Sequence, residues 1–169
     1  MKDMRVFTVV CALFVLTIAS AAQAPTQKPV GSLAQVMRGI LFPNSNILFD
    51  VQSKDPDTFG KKEEGSGASA SFSGIYTGWQ VVENAAIALN ESARLLMVPG
   101  RTCENGRPVP VNQKDWAPFV EDLRKASQAM LKAAQAKNRD LASETTNDVA
   151  GACENCHTKY RDAPPRCTP

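Results

Sequence analysis

The stretch Ala150-Gly151-Ala152-Cys153-Glu154-Asn155-Cys156-His157-Thr158-Lys159-Tyr160-Arg161 decides how the chain is read. At its centre two thiols flank a two-residue spacer and an imidazole follows at once, which is the C-x-x-C-H spacing of a haem attachment signature. Each thiol can add across one vinyl group of a porphyrin, giving two thioethers. The adjoining histidine can then offer a ring nitrogen to the iron. On a helix, Cys153 and Cys156 share a face, and His157 lies beside them. His157 is also the only histidine in the chain. Cys-x-x-Cys by itself is equally half a zinc site or a redox dithiol. A structural zinc needs four ligands, and outside the leader only Cys103, Cys167 and carboxylates remain to complete it. A redox dithiol belongs in a βαβ setting, and no such pattern surrounds these cysteines. One covalent haem c is therefore the expected cofactor, with small Ala150, Gly151 and Ala152 where a flat macrocycle would lie against backbone.

Outward from this motif the chain reads as helices. A last helix is expected over 141–161, with Leu141, Thr145, Val149, Ala152 and Cys156 on one stripe and Pro164-Pro165 as its stop. Before it, a helix beginning near Gln113 or Lys114 buries Trp116, Phe119, Leu123, Met130, Ala133 and Ala134, and Asn138 is its candidate terminator. Pro118 falls in the first turns, where a missing N–H costs little. An earlier helix over 75–98 shows Trp79, Val82, Ala86, Leu89, Ala93 and Leu96 at steps of three and four, and Pro99-Gly100 ends it. The first helix begins at the N-cap Ser32 with Leu33, Val36, Met37, Ile40 and Leu41. Pro43 is expected to end or kink it before Ile47, Leu48, Phe49 and Val51 continue the apolar material. The Gly/Ser-rich segment within 52–74 reads as a surface crossover loop. The sum is an all-α chain, an antiparallel four-helix bundle with covalently bound haem c, with no strong strand pattern and no repeat.

The 169 residues suggest one domain, and a formal charge of +2 without a Lys/Arg cluster argues against nucleic acid as a partner. Lys2 and Arg5 precede an apolar run over 6–18 and then small residues, the pattern of a signal peptide cleaved after Ala22. The expected layout is a signal peptide over 1–22, a disordered lead-in over 23–31, the helical domain over 32–163 and a tail over 164–169. Export and thioether formation agree on a bacterial periplasm, which also permits disulfides. Cys11 leaves with the signal, so Cys103 and Cys167 remain as a pair. If the helices alternate up and down, both lie at the same end, and a disulfide there would stabilise by up to roughly 4 kcal/mol in the chain-entropy model. The other reading is two free thiols, or one engaged with another chain.

The run from Cys153 to Arg161, at the end of a last helix, resembles the class II c-type cytochromes, the cytochrome c′ and cytochrome c556 group. Their haem motif lies near the C-terminus and reads C-x-x-C-H-x-x-[FY]-R. The stretch from Asn90 to Pro99, the Trp116 region and the Ala-rich third helix are similar too. The likeness spans roughly Ser32 to Arg161, and the segment around Pro43 departs from it. The resemblance implies that Arg161 packs near the proximal His157 and the haem propionates, and that Tyr160 covers the haem edge or packs beside it. It also implies that Met37 stands where c556-type members carry a methionine sixth ligand. Met97 and Met130 are weaker candidates for that role. Two functions follow. With His157 and Met37 as axial ligands, the protein transfers electrons among periplasmic redox partners. With an open sixth position, it binds NO or CO. No nucleophile–base arrangement points to an enzyme. A homodimer, common in the family, is a further expectation.

Overall fold

The computed structural model describes residues 28–61 and 76–161. Within them the chain is all-α, and its only β pairing is an isolated bridge between Thr102 and Pro108. The elements are α1 (Leu33–Val36), a π-helical turn (Met37–Leu41), α2 (Phe42–Ser53), a 3-10 turn (Pro56–Thr58), α3 (Trp79–Ser92), a 3-10 turn (Ala93–Met97), α4 (Trp116–Gln135) and α5 (Arg139–Tyr160). Helix α2 packs on α3 and on α5, α3 packs on α4, and α4 packs on α5. The signal segment over 1–22, Cys11, the tail over 164–169 and Cys167 lie outside the described residues. Among the described residues no helix is long and apolar enough to cross a membrane.

The apolar stripes explain the packing. Trp79, Val82, Ala86, Leu89, Ala93 and Leu96 are all buried. So are Trp116, Val120, Leu123, Ala126, Ser127, Met130, Ala133 and Ala134 along α4. Alanine at so many contact positions lets helix axes approach closely. Two expectations need correction. Val120, not Phe119, joins Trp116 and Leu123 in the buried stripe, and Phe119 is half-buried. Leu141 is 44% exposed, in the first turn of α5, where Ala142 beside it is the buried residue. Asn138 does not merely end the preceding helix. Its side-chain oxygen accepts the Leu141 N–H at 3.0 Å, so it caps α5. Lys137 turns the corner with φ +51.

The largest difference is at Pro43. The chain neither stops nor breaks there. Helix α1 runs through the π turn into α2 without interruption. Ser32 opens it with a capping box, accepting from the Gln35 N–H while its own N–H reaches Gln35 Oε1. Proline has no N–H, and its ring collides with the carbonyl one turn earlier in a regular α-helix. The wider turn ahead of Pro43, closed by a bond from the Phe42 N–H to the Met37 carbonyl, absorbs this conflict.

Helix α3 starts at Trp79 rather than at residue 75. Gly78 sits at φ +62 and sends its N–H to the Phe59 carbonyl at 2.7 Å, a geometry that a helix cannot contain. Gly60, at φ +68, passes so close to the Tyr76 carbonyl that a Cβ would lie 1.9 Å from its oxygen. These two glycines hold the chain where it enters and leaves the 62–75 segment. In the lead-in, residues 28–31 are described. The Gly31 carbonyl there accepts from the buried Arg101 guanidinium, which also donates to the Leu95 carbonyl at 3.2 Å.

Candidate cofactor site

The C-terminal turns of α5, the first helix, α3 and α4 enclose a cavity of about 690 Å³, mostly apolar in its lining. That volume falls in the range of small-molecule and cofactor sites, roughly 300–1,000 Å³. Cys153, Cys156, His157, Tyr160 and Arg161 stand on the α5 wall. Met37 lines the same cavity, together with Leu33, Leu41 and Phe49 of the first helix. Leu89, Leu96, Trp116 and Leu123 supply further apolar wall. Six residues picked out from the sequence thus meet in one space. The other two methionines considered as ligands do not line this cavity. Met130 is fully buried in the core, and Met97 packs partly buried against it.

Cys153 and Cys156 are free and half-buried. Burial raises the Cys153 thiol above its ordinary value, an effect that Arg161 partly offsets. Burial, and then the charges of Cys153 and Asp115, push Cys156 up to about 11. Both are therefore neutral thiols at pH 7. Among the described residues no group of three or more His, Cys, Asp and Glu is placed to hold a metal ion. Two neutral thiols and one imidazole facing an apolar cavity can instead hold a flat, largely apolar tetrapyrrole, by thioether bonds and one axial nitrogen.

His157 and Arg161 are one helical turn apart, and Arg161 Nη1 lies 2.9 Å from His157 Nδ1. A guanidinium can only donate, so in this contact Nδ1 is the acceptor. The resemblance implied a place for Arg161 near the histidine, and the structure places it there.

Tyr160 lines the cavity but is 4% exposed and fixed on its other side. Its ring meets Trp116 edge-on at 4.8 Å and Phe119 at 6.2 Å. Its hydroxyl donates to Asp115 at 2.6 Å, and Lys159 pairs with the same carboxylate. Trp116 in turn donates its indole N–H to the Leu96 carbonyl at 3.1 Å. Bonds from Lys159 and Tyr160 hold the Asp115 carboxyl below its ordinary value, while burial and the Asp115 charge raise the Tyr160 hydroxyl. This cluster anchors the turn that carries His157 to the start of α4. The sequence reading missed Asp115 because an isolated aspartate before a helix signals only a cap. Nothing local reports a partner so far along the chain.

The sequence reading also missed the mouth. Arg38 and Glu104 both line the cavity and form an exposed ion pair at 2.7 Å. Phe42 lines it too, at 66% exposure. Cys103, next to Glu104, is buried and disulfide-bonded. Its expected partner, Cys167, lies outside the described residues. Comparison with protein-family models, with curated proteins and with solved structures gives no match.

Proposed function

We propose that this chain is a class II c-type cytochrome, a four-helix bundle exported to the periplasm that carries one haem c and transfers electrons. The observation that carries the reading is the single cavity shared by Cys153, Cys156, His157 and Met37. Support for the bundle comes from the closed cycle of packing between α2, α3, α4 and α5. The haem would supply a one-electron couple at its iron. Cys153 and Cys156 would hold the macrocycle by thioether bonds. His157 would hold the iron through a ring nitrogen; ligation through Nε2 requires the ring proton on Nδ1, so Arg161 would have to release Nδ1. The Asp115–Tyr160 cluster keeps the α5 turn still, and Leu33, Leu41, Phe49 and Leu123 exclude water from the cavity. Met37 would close the sixth position with a thioether, which favours the reduced iron and raises the potential.

The optical spectrum of the purified holoprotein tests this. The reading expects low-spin iron with sharp reduced bands, and Met37→Ala should convert it toward high spin. If the spectrum is high-spin and shifts with CO in the unmutated protein, Met37 does not ligate. The apolar wall would then suit a five-coordinate protein that binds NO or CO, and the electron-carrier reading falls.

A further inference from the structure

Leu33, Met37, Leu41, Ser45 and Phe49 of the first helix line the cavity at every fourth position, and the residues that follow the first four of them line it beside them. A regular α-helix cannot present such a stripe to one place. It turns by about 100° per residue, so from Leu33 to Phe49 the stripe would drift by about 160° around the axis. One residue of π insertion takes back about 100° of that. The insertion lies between the two halves of the stripe, over Met37–Leu41.

Pro43 is what holds the insertion in place. It can close no backbone bond in an α register, and its ring would strike the Gly39 carbonyl there. Side chains just past it donate back to carbonyls of the preceding turn. Asn44 Nδ2 donates to the Ile40 carbonyl at 2.7 Å. Asn46 Nδ2 and Ser45 Oγ donate to the Phe42 carbonyl at 2.7 and 3.0 Å. Helix α2 is anchored by the fully buried Leu48 and Val51, so closing the turn to an α register would rotate the shorter α1 end. Met37 would then turn about 100° away, and Arg38 would take its direction.

We propose that Pro43 is a positioning residue for the cofactor: by enforcing the π turn it keeps Met37 in register with Leu41, Ser45 and Phe49 on the cavity wall and so sets the sixth ligand. This deepens the haem reading above and rests on it. The test is Pro43→Ala in the holoprotein, compared with the unmutated protein and with Gly39→Ala. A Cβ at Gly39 meets nothing within 4 Å, so that control adds helix propensity without restoring an N–H at position 43.

The expected result is that Pro43→Ala keeps its covalent haem and its helical circular dichroism but loses most of its low-spin spectrum. It should bind CO at least about tenfold more tightly, because no thioether competes for the iron. Gly39→Ala should keep the low-spin spectrum. A Pro43→Ala protein with an unchanged low-spin spectrum overturns the proposal and leaves the haem reading standing. An unmutated protein with haem but no thioether ligand overturns the proposal together with the electron-carrier reading and leaves the covalent haem standing. An unmutated protein without covalent haem removes both.

Discussion

Tyr160 joins the packing of the fold to the placement of His157, and truncating it should show how much that junction is worth. Tyr160→Ala deletes a ring that is 4% exposed and meets Trp116 and Phe119 at 4.8 and 6.2 Å. Removing a buried aromatic ring down to alanine costs about 3–5 kcal/mol, of which edge-on ring pairs supply about 0.5–1.5 each. A domain of this size loses about 3 °C in Tm per kcal/mol, so the expected fall is about 9–15 °C. Tyr160→Phe keeps the ring and deletes only the hydroxyl that donates to Asp115 at 2.6 Å. That loss should be about 2–4 °C. Thermal unfolding followed at 222 nm reads both. The reasoning also requires Tyr160→Phe and Asp115→Ala to be non-additive, since each removes the same bond. A Tyr160→Ala fall below about 3 °C, or strictly additive losses in the double variant, would refute it.

Other perturbations follow from the same geometry. The Asp115 carboxyl is held below its ordinary 3.8, so its contribution is present above that pH and lost as pH falls through the folded value. The Tyr160 hydroxyl is raised above its ordinary 10.0, so its contribution is present below pH 10 and lost as pH rises further. Urea midpoints measured against pH should show both limbs, with Tyr160→Phe flattening the alkaline one. Gly60→Ala must place a Cβ 1.9 Å from the Tyr76 oxygen at φ +68, and should lower stability by more than about 1 kcal/mol in the same assay. If Cys103 pairs with Cys167, the unfolded, unreduced holoprotein should show no reactive thiol, and two after reduction. Two reactive thiols before reduction would rule that pairing out.

Much of the fold was legible because it rests on local patterns. Apolar residues at helical steps marked α3 and most of α4, and Ser32 marked the first N-cap. The haem motif and Met37 were legible as chemistry, one from a spacing and the other from a family likeness. What was not legible depended on distant partners or on compensation. Pro43 reads as a break unless a wider turn ahead of it, which spares the clash of its ring with the preceding turn, is anticipated. The clue was the every-fourth-residue run from Leu33 to Phe49, which matches no regular helix. Leu141 looked buried by its place on the stripe, yet in that first turn Ala142 beside it is the buried residue. Arg101 carries no local signal of burial, yet it is 6% exposed, because the carbonyls of Gly31 and Leu95 converge on it.

The central claim is a covalent haem at Cys153 and Cys156, and the most direct measurement is the intact mass of the exported, mature protein made in a host that matures c-type cytochromes. The account predicts the mass of the chain plus one haem, retained after denaturation and extraction with acidified organic solvent. Cys153→Ala with Cys156→Ala should remove it. A mature protein whose mass is that of the polypeptide alone, or whose haem passes into the solvent, would contradict the account.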